Sequence, residues 1–255
     1  MIAGLAFASA SVGWGRSRLN ARPELPQAAG EREAKQLISE TLAQRPEQAV
    51  TNTGAWQIRD AQGDVQTVPA RFISFTTKEG WTAIYDAAPR AGTPAGAPNA
   101  RRTGSRLRVL HTVGKPNRYL LSDLAADGTE STPKELTGGA LYEPFAGSDF
   151  CPADLGLEFL SWPKQRVIRS EMRHSRSCKL LESVNPKPAG GAYSQVISWI
   201  TVETPHAPVH ADAYQGSRRI KEFDPKSIER VHGSFELHSV EMRNLKTGGS
   251  TIMEF

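Results

Sequence analysis

Among the residue types that bind metal ions, histidine has the spacing in this sequence that most resembles that of a metal site. His206 and His210 are four residues apart, and on a helix this spacing would place both imidazoles on one side, as a pair of ligands. The intervening Ala207-Pro208 forbids a regular helix, and residues i and i+4 of an extended chain lie about 13 Å apart, too far for one ion. Three further histidines have no partner at ligand spacing: His174, His232 and His238. The sequence therefore predicts surface loops here and no metal centre.

Signatures of catalysis are missing from the sequence. It contains no G-x-S-x-G elbow, no H-E-x-x-H motif and no glycine-rich phosphate loop of the Walker kind. Glu182 and Asp212 could be imagined as an acid pair, but carboxylates on separate strands are usually solvated. We therefore predict no catalytic residue, no cofactor and no enzymatic activity.

The two cysteines leave a choice between a disulfide and two buried thiols. Cys151 and Cys178 would pair in an oxidising compartment, and the loop they close is worth roughly 3–4 kcal/mol in the chain-entropy model. So few cysteines exclude a disulfide-dense scaffold and a four-cysteine zinc site. The disulfide is the prediction, and the pair of thiols is the alternative.

The charges argue against nucleic acid as a partner. The chain of 255 residues carries 31 Lys and Arg against 27 Asp and Glu, and a net charge of +4 is too slight to demand a nucleic-acid partner. One basic cluster could contact phosphate or anionic lipid head groups, although a solvated loop and strand face is the commoner role. Its members are Arg101, Arg102, Arg106 and Arg108.

The first residues resemble a truncated signal peptide. Met1–Val12 is apolar and uncharged, but a bilayer span needs about 20 apolar residues, and Ala8-Ser9-Ala10 has the small residues of a cleavage site. A basic n-region is missing, so residues 1–15 are interpreted as a signal peptide whose true start lies upstream, or else as the apolar tail of a cytosolic protein. Residues 16–30 then form a flexible lead-in. Because the first cysteine is Cys151, far beyond the apolar stretch, we predict an exported soluble protein without a lipid anchor.

The remaining sequence is dominated by short strands. An amphipathic helix is predicted over 31–44 and a short second helix between 148 and 162, each ended by a proline. About a dozen segments have strand patterns: 56–59, 65–76, 81–85, 106–112, 118–122, 166–172, 178–184, 195–202, 209–214, 218–223, 235–243 and 250–255. Neighbouring strands of this kind pair into an antiparallel meander. We therefore expect a mainly β (α+β) domain over 31–255, a single curved sheet forming an unclosed half-barrel with a few helices on its concave side.

Several sequence runs resemble the outer-membrane lipoprotein-sorting family, the LolA-like proteins of the bacterial envelope. The similarity covers about residues 31–255. The runs, in order, are Arg59-Asp60-Ala61-Gln62-Gly63, Trp81 to Tyr85, Gly147 to Leu155, Trp162, Arg176 to Glu182, Tyr193 to Ile200, His210 to Tyr214, Lys221-Glu222-Phe223, His232-Gly233 and Glu241 to Gly248.

The resemblance implies a periplasmic carrier. In such a protein the apolar interior of a half-barrel shelters the acyl chains of a lipoprotein or lipid, taken from a membrane donor complex and delivered to an outer-membrane acceptor. Apolar strand residues suited to line such a cavity are Trp56, Phe72, Ile168, Met172, Trp199, Val240 and Met242. The rival hypothesis is a non-enzymatic structural or interaction module of the envelope whose interior is packed shut.

Overall fold

The computed structural model describes residues 23–89, 103–231 and 234–255. The proposed signal peptide, residues 16–22 of the lead-in, Arg101, Arg102 and His232 lie outside these ranges. Thirteen strands form the described sheet: β1 Val50–Arg59, β2 Val65–Thr76, β3 Gly80–Ala87, β4 Gly104–Thr112, β5 Arg118–Leu124, β6 Lys134–Leu136, β7 Lys164–Arg173, β8 Arg176–Val184, β9 Gln195–Thr201, β10 Pro208–Gln215, β11 Arg218–Val231, β12 Ser234–Asn244 and β13 Ser250–Glu254.

These strands form one antiparallel sheet with the order β6-β5-β4-β3-β2-β1-β13-β12-β11-β10-β9-β8-β7. Each strand pairs with the next one in sequence except at β6 and β7, and β1 also pairs with the last strand, β13, so that Trp56 faces Met253. The edge strands β6 and β7 do not pair with each other, so the sheet remains open. This confirms the predicted curved, unclosed half-barrel.

The first helix, α1 (Gln27–Ala43), begins earlier than the sequence pattern predicts. The predicted lead-in, which extended to residue 30, therefore includes residues that pack against the sheet. Gly30 is buried in α1, and the amide of Leu25 donates to the Ile168 carbonyl of β7 at 2.8 Å. A Cβ added to Gly30 would lie 2.4 Å from the Val167 oxygen. Glycine thus lets α1 approach the sheet edge, which the polar, proline-containing sequence before residue 31 did not reveal.

The predicted second helix consists of two short pieces. It forms α2 (Pro152–Leu155) and a 3-10 turn over Glu158–Ser161, and further 3-10 turns lie at Gly138–Tyr142 and Phe145–Gly147. Between the two pieces Leu157 adopts a left-handed φ of +50°, which interrupts the helix. None of the described helices is long and apolar enough to cross a membrane.

The helices cover one face of the sheet, here called the inner face, and the opposite one is the outer face. Two clusters of buried side chains lie on the inner face. The aromatic cluster is centred on Trp56, Phe72, Tyr85, Phe145 and Phe150, with Trp56 at 5.6–5.8 Å from Phe72, Phe145 and Phe150, ring centre to ring centre. The helix cluster joins α1, through Ala34 and Leu37, to strands β7–β11.

Candidate functional site

The interior of the half-barrel is almost filled. A cavity of about 30 Å³ remains between the helix cluster and the aromatic cluster, lined mainly by Leu157, Phe159, Val196, Ala211, Phe223 and Met242. That volume suits about one water molecule, whereas ligand pockets usually measure about 300–1,000 Å³. In this conformation the cavity between the two clusters therefore has no room for an acyl chain.

A larger pocket opens next to this cavity, and we call it the mouth. It measures about 360 Å³ and lies between the end of α1, the start of β3 with the paired end of β4, and residues 155–161. Leu42, Leu155, Leu157 and Leu160 give it apolar walls. Two bigger depressions exist, but that of about 960 Å³ is bordered by charged groups such as Glu31 and Arg166, and that of about 550 Å³ lies at the opposite edge of the sheet, near β6. Of these three pockets along the described residues, only the mouth shares a lining residue, Leu157, with the interior cavity.

One wall of the mouth is a stacked pair of rings. Trp81 and His111 are neighbours across β3 and β4, with ring centres 3.7 Å apart and planes 9° apart. Burial lowers the pKa of His111 to about 3, so the imidazole is neutral at ordinary pH. Its Nε2 atom is buried without a hydrogen-bond partner among the described residues. The mouth thus contains a polar atom that a ligand could satisfy.

Residues 155–158, here called the partition, separate the mouth from the interior cavity. Leu157 borders both spaces, and its left-handed backbone is unusual for a branched apolar residue. Gly156 lies so close to Tyr119 that an added Cβ would be 2.2 Å from the phenol oxygen. Removing the Leu157 side chain from its place would join the two spaces.

Among the described residues, three side-chain hydrogen bonds tie the partition to the sheet, beside its backbone bonds to α2. Asn117 Nδ2 donates to the Gly156 carbonyl at 2.8 Å, the Tyr85 hydroxyl donates to the Leu155 carbonyl at 3.2 Å, and the Tyr119 hydroxyl donates to Glu158 at 2.7 Å. Burial raises the pKa of the Glu158 carboxyl. All three donors come from the β3–β5 side, so the partition can separate from that side without breaking the sheet.

A buried polar cluster anchors α2 on the other side. The Asp154 carboxylate accepts from Tyr193 Oη at 2.7 Å, from Lys221 Nζ at 2.9 Å and from the Cys151 amide at 2.9 Å. Burial raises the pKa of the Cys151 thiol to about 12, which keeps it protonated. These bonds fix α2, just before the partition, to β11 and to the segment that precedes β9.

The structure places the predicted lining residues unevenly. Trp56, Phe72 and Val240 are fully buried in the aromatic cluster, and Met242 borders the small cavity. Ile168 is half-buried at a β-bulge where the β7–β8 register shifts. Two predictions are wrong, because Met172 is 46% exposed near the β7–β8 hairpin and Trp199 lies on the outer face with its indole N–H bonded to Glu171.

The predicted disulfide is also absent from this structure. Cys151 and Cys178 are both buried free thiols. Cys151 belongs to the helix cluster on the inner face, whereas Cys178 lies an odd number of residues from Leu181, which also faces that cluster. The two thiols therefore lie on opposite faces of the sheet.

The described part of the basic cluster is paired with acids on the outer face. Arg106 contacts Asp86 at 2.6 Å and Glu130 at 3.0 Å, and Arg108 also bonds to Glu130. Chiefly through the Arg108 guanidinium, these contacts lower the pKa of the Glu130 carboxyl to about 2. These arginines are therefore engaged in strand-to-strand ion pairs.

The carboxylates imagined as an acid pair do not form one. β9 lies between them, because Glu182 and Asp212 both pair with Ile197 from opposite sides. Each has an arginine partner instead: Arg166 for Glu182 and Arg219 for Asp212.

Comparison with known proteins supports the fold. A family model described only as an uncharacterized protein matches residues 129–255, and no curated protein matches the chain. A solved DUF1329 family protein from Desulfovibrio piger superposes with a TM-score of 0.64 at 15% identity, covering 88% of this chain and 90% of that one. A domain named for outer membrane lipoprotein sorting, from Vibrio parahaemolyticus, gives 0.63 at 17% identity, with 89% and 90% covered.

A LolA superfamily protein from Nitrosomonas europaea gives a TM-score of 0.54 at 14% identity, with 88% of this chain and 90% of that one covered. At these identities the likeness concerns the fold alone. The chain therefore shares its fold with these three proteins.

Proposed function

We propose that this protein is a non-enzymatic periplasmic carrier that shelters the acyl chains of a lipoprotein or another amphiphile. The observation that carries the proposal is the single leucine of the partition, Leu157, between an apolar mouth of about 360 Å³ and the apolar interior. The fold shared with proteins named for lipoprotein sorting supports it. The structure then corresponds to the closed conformation of the carrier.

Loading would proceed from the mouth inward. An acyl chain first covers Leu42 and Leu160, and the partition then moves away from Tyr119 while the Asp154 cluster holds α2 in place. Each buried methylene contributes about 0.8 kcal/mol, which offsets the separation of packed side chains. Met242 borders the cavity and is suited to repacking, because its side chain is unbranched and flexible.

A polar group of the cargo would find a donor inside. The indole N–H of Trp56 is fully buried and has no hydrogen-bond partner among the described residues. Unpaired buried donors are rare, because each costs free energy. A carbonyl oxygen near the start of an acyl chain could accept from it.

Release requires a partner with higher affinity, because a cavity has no source of energy of its own. A membrane donor complex would load the protein, and an outer-membrane acceptor would unload it.

We place this exchange in the periplasm, which agrees with the interpretation of residues 1–15 as a signal peptide. Osmotic-shock fractionation checks the compartment, and recovery of the protein only with the cytosolic fraction would contradict it.

The second candidate function is a structural or interaction module of the envelope. The observation that favours it is the small size of the interior cavity, about 30 Å³. A module of this kind would keep its interior packed under all conditions and would bind no lipid.

Titration with a dansyl-labelled fatty acid separates the two functions. For a carrier we expect saturable binding by the wild type, faster binding by Leu157→Ala because the partition is smaller, and loss of binding in Met242→Glu. Leu245→Ala, at an exposed turn, is the matched control and should bind like the wild type. Absence of binding in the wild type, together with no lipid in native mass spectra, would establish the packed module instead.

A further inference from the structure

Three side chains that are distant in sequence meet on the outer face, and we propose that they bind a divalent transition metal, with Zn²⁺ as the expected ion. His174 lies at the turn of the β7–β8 hairpin, His210 on β10 and Asp224 on β11. The His174 Nε2 atom lies 2.9 Å from Asp224 Oδ1, and His210 Nδ1 lies 3.0 Å from the same oxygen. All three ligand atoms are within 4.8 Å of one another.

These separations are close to those of a metal centre. Zinc binds imidazole nitrogen and carboxylate oxygen at about 2.0–2.2 Å, so tetrahedral ligands are about 3.3 Å apart. Three protein ligands leave one position for water, as in zinc sites with an open coordination site. Two imidazoles and one carboxylate favour zinc and its neighbours among the transition metals over Mg²⁺ or Ca²⁺, which prefer oxygen.

The surroundings of His210 Nδ1 are in conflict without a cation. Arg173 Nη2, a donor, lies 2.8 Å from this nitrogen, and Asp224 Oδ1, an acceptor, lies 3.0 Å away. An unprotonated Nδ1 satisfies Arg173 but places its lone pair against the carboxylate, while a protonated Nδ1 opposes the guanidinium. A metal ion between Nδ1 and Oδ1 would satisfy both atoms. The imidazole is only 2% exposed, so water cannot resolve the conflict readily.

The other side of the ring already has the arrangement typical of a metal-bound histidine. Asp212 Oδ1 lies 3.5 Å from His210 Nε2 and is held by Arg219 at 3.1 Å. A carboxylate at this position accepts a hydrogen bond from the Nε2–H group. The proton therefore stays on Nε2, and the lone pair of Nδ1 is free for the metal. Asp212 would thus be a positioning residue.

Arg173 is the competitor of the metal. Its guanidinium lies 5.0 Å from the ring centre of Trp199, and its Nε atom is buried without a hydrogen-bond partner among the described residues. A metal at the proposed position would repel this like charge, so Arg173 has to turn toward solvent from the end of the hairpin. Removing the arginine should therefore strengthen metal binding, which is the reverse of the effect expected for a ligand.

Competition of the purified, tag-free protein with a fluorescent zinc chelator tests the site. We expect one Zn²⁺ per chain, binding weakened more than 10-fold in His174→Ala and in Asp224→Asn, and weakened about 10- to 100-fold in Asp212→Asn. Arg173→Met should strengthen binding by at least about tenfold. His206→Ala is the matched control and should bind like the wild type, because His206 instead contacts Glu40 and the Thr201 carbonyl.

Circular dichroism of each variant shows whether it is folded, and Co²⁺ absorption reports ligand geometry independently of affinity. No Zn²⁺ binding by the wild type, or unchanged affinity in folded His174→Ala, would overturn the site. Unchanged affinity in Arg173→Met would overturn the competition. Because the site lies on the outer face, none of these results depends on acyl binding.

Discussion

Two partly or fully buried histidines lie on opposite faces of the same sheet. On the inner face His111 is stacked on Trp81, and burial lowers its pKa to about 3. On the outer face His210 is surrounded by Asp212, Asp224 and Arg173. Strand geometry brings both imidazoles out of solvent, but it supplies an apolar ring to one and charged partners to the other.

The difference follows from what each face packs against. The inner face meets helices, and burial beside Trp81 disfavours the charged form of the imidazole, so its histidine remains a neutral aromatic ring beside the mouth. In the part of the chain that the structure describes, no helix lies over the outer face, and arginines and carboxylates from neighbouring strands form ion pairs there, as Arg106 does with Asp86 and Arg219 with Asp212. A cation can therefore be bound on the outer face, whereas the inner face suits an uncharged chain.

The largest effect is expected from removing the apolar ring beside His111. Trp81→Ala deletes a side chain that is only 4% exposed and should lower the free energy of unfolding by about 3–5 kcal/mol. Urea denaturation measures this. Trp81→Phe keeps a ring against the imidazole and should lose clearly less, and equal losses in both variants would show that the stacking is unimportant.

The next largest effect is expected in the pH dependence of the free energy of unfolding, which should report the titration of His111 on the inner face. In the folded protein the pKa of His111 is about 3, below the ordinary value of 6.5, so between these values the unfolded chain binds the extra proton. Stability should fall as the pH is lowered through this window, by about 1–2 kcal/mol from about pH 7 to about pH 5.

The variant His111→Phe retains a stacked ring but cannot titrate. Urea denaturation at both pH values should show a smaller loss in this variant than in the wild type. An identical loss in the two proteins would contradict the assignment of this pH dependence to His111.

A smaller effect is expected on the outer face in the absence of metal. Asp212→Asn removes a charged acceptor from His210 and Arg219 and should cost about 1–2 kcal/mol of unfolding free energy, measured in urea with a chelator present. Arg219→Ala is the control, because its side chain is 44% exposed and should contribute less than about 1 kcal/mol. A greater cost for the arginine would reverse this assignment.

The placement of the cysteines gives the prediction with the least effect on stability. Alkylation of the denatured protein without a reductant should label both Cys151 and Cys178, because they lie on opposite faces and are not bonded. Intact mass counts the labels. A protein with neither cysteine labelled would restore the disulfide that the sequence favoured.

Part of this architecture could be predicted from local sequence. Alternation of apolar and polar residues predicted the strands, and adjacency predicted the antiparallel sheet, since both depend on neighbouring residues. Pro46 and Pro163 placed the limits of the helical regions for the same reason. Trp56, Phe72, Val240 and Met242 lie on the inner face, where the aromatic rings fill the interior instead of leaving a wide cavity.

Which face a residue occupies was decided only by the tertiary structure. Alternation shows that residues share a face but not which face meets the helices, so Trp199 was assigned to the wrong one. The approach of His174 to Asp224, fifty positions along the chain, depends on the left-handed turn at His174 and Ser175 and on the curvature of the sheet. Local sequence determines strands, but contacts between distant strands exist only once twist and curvature bring them together.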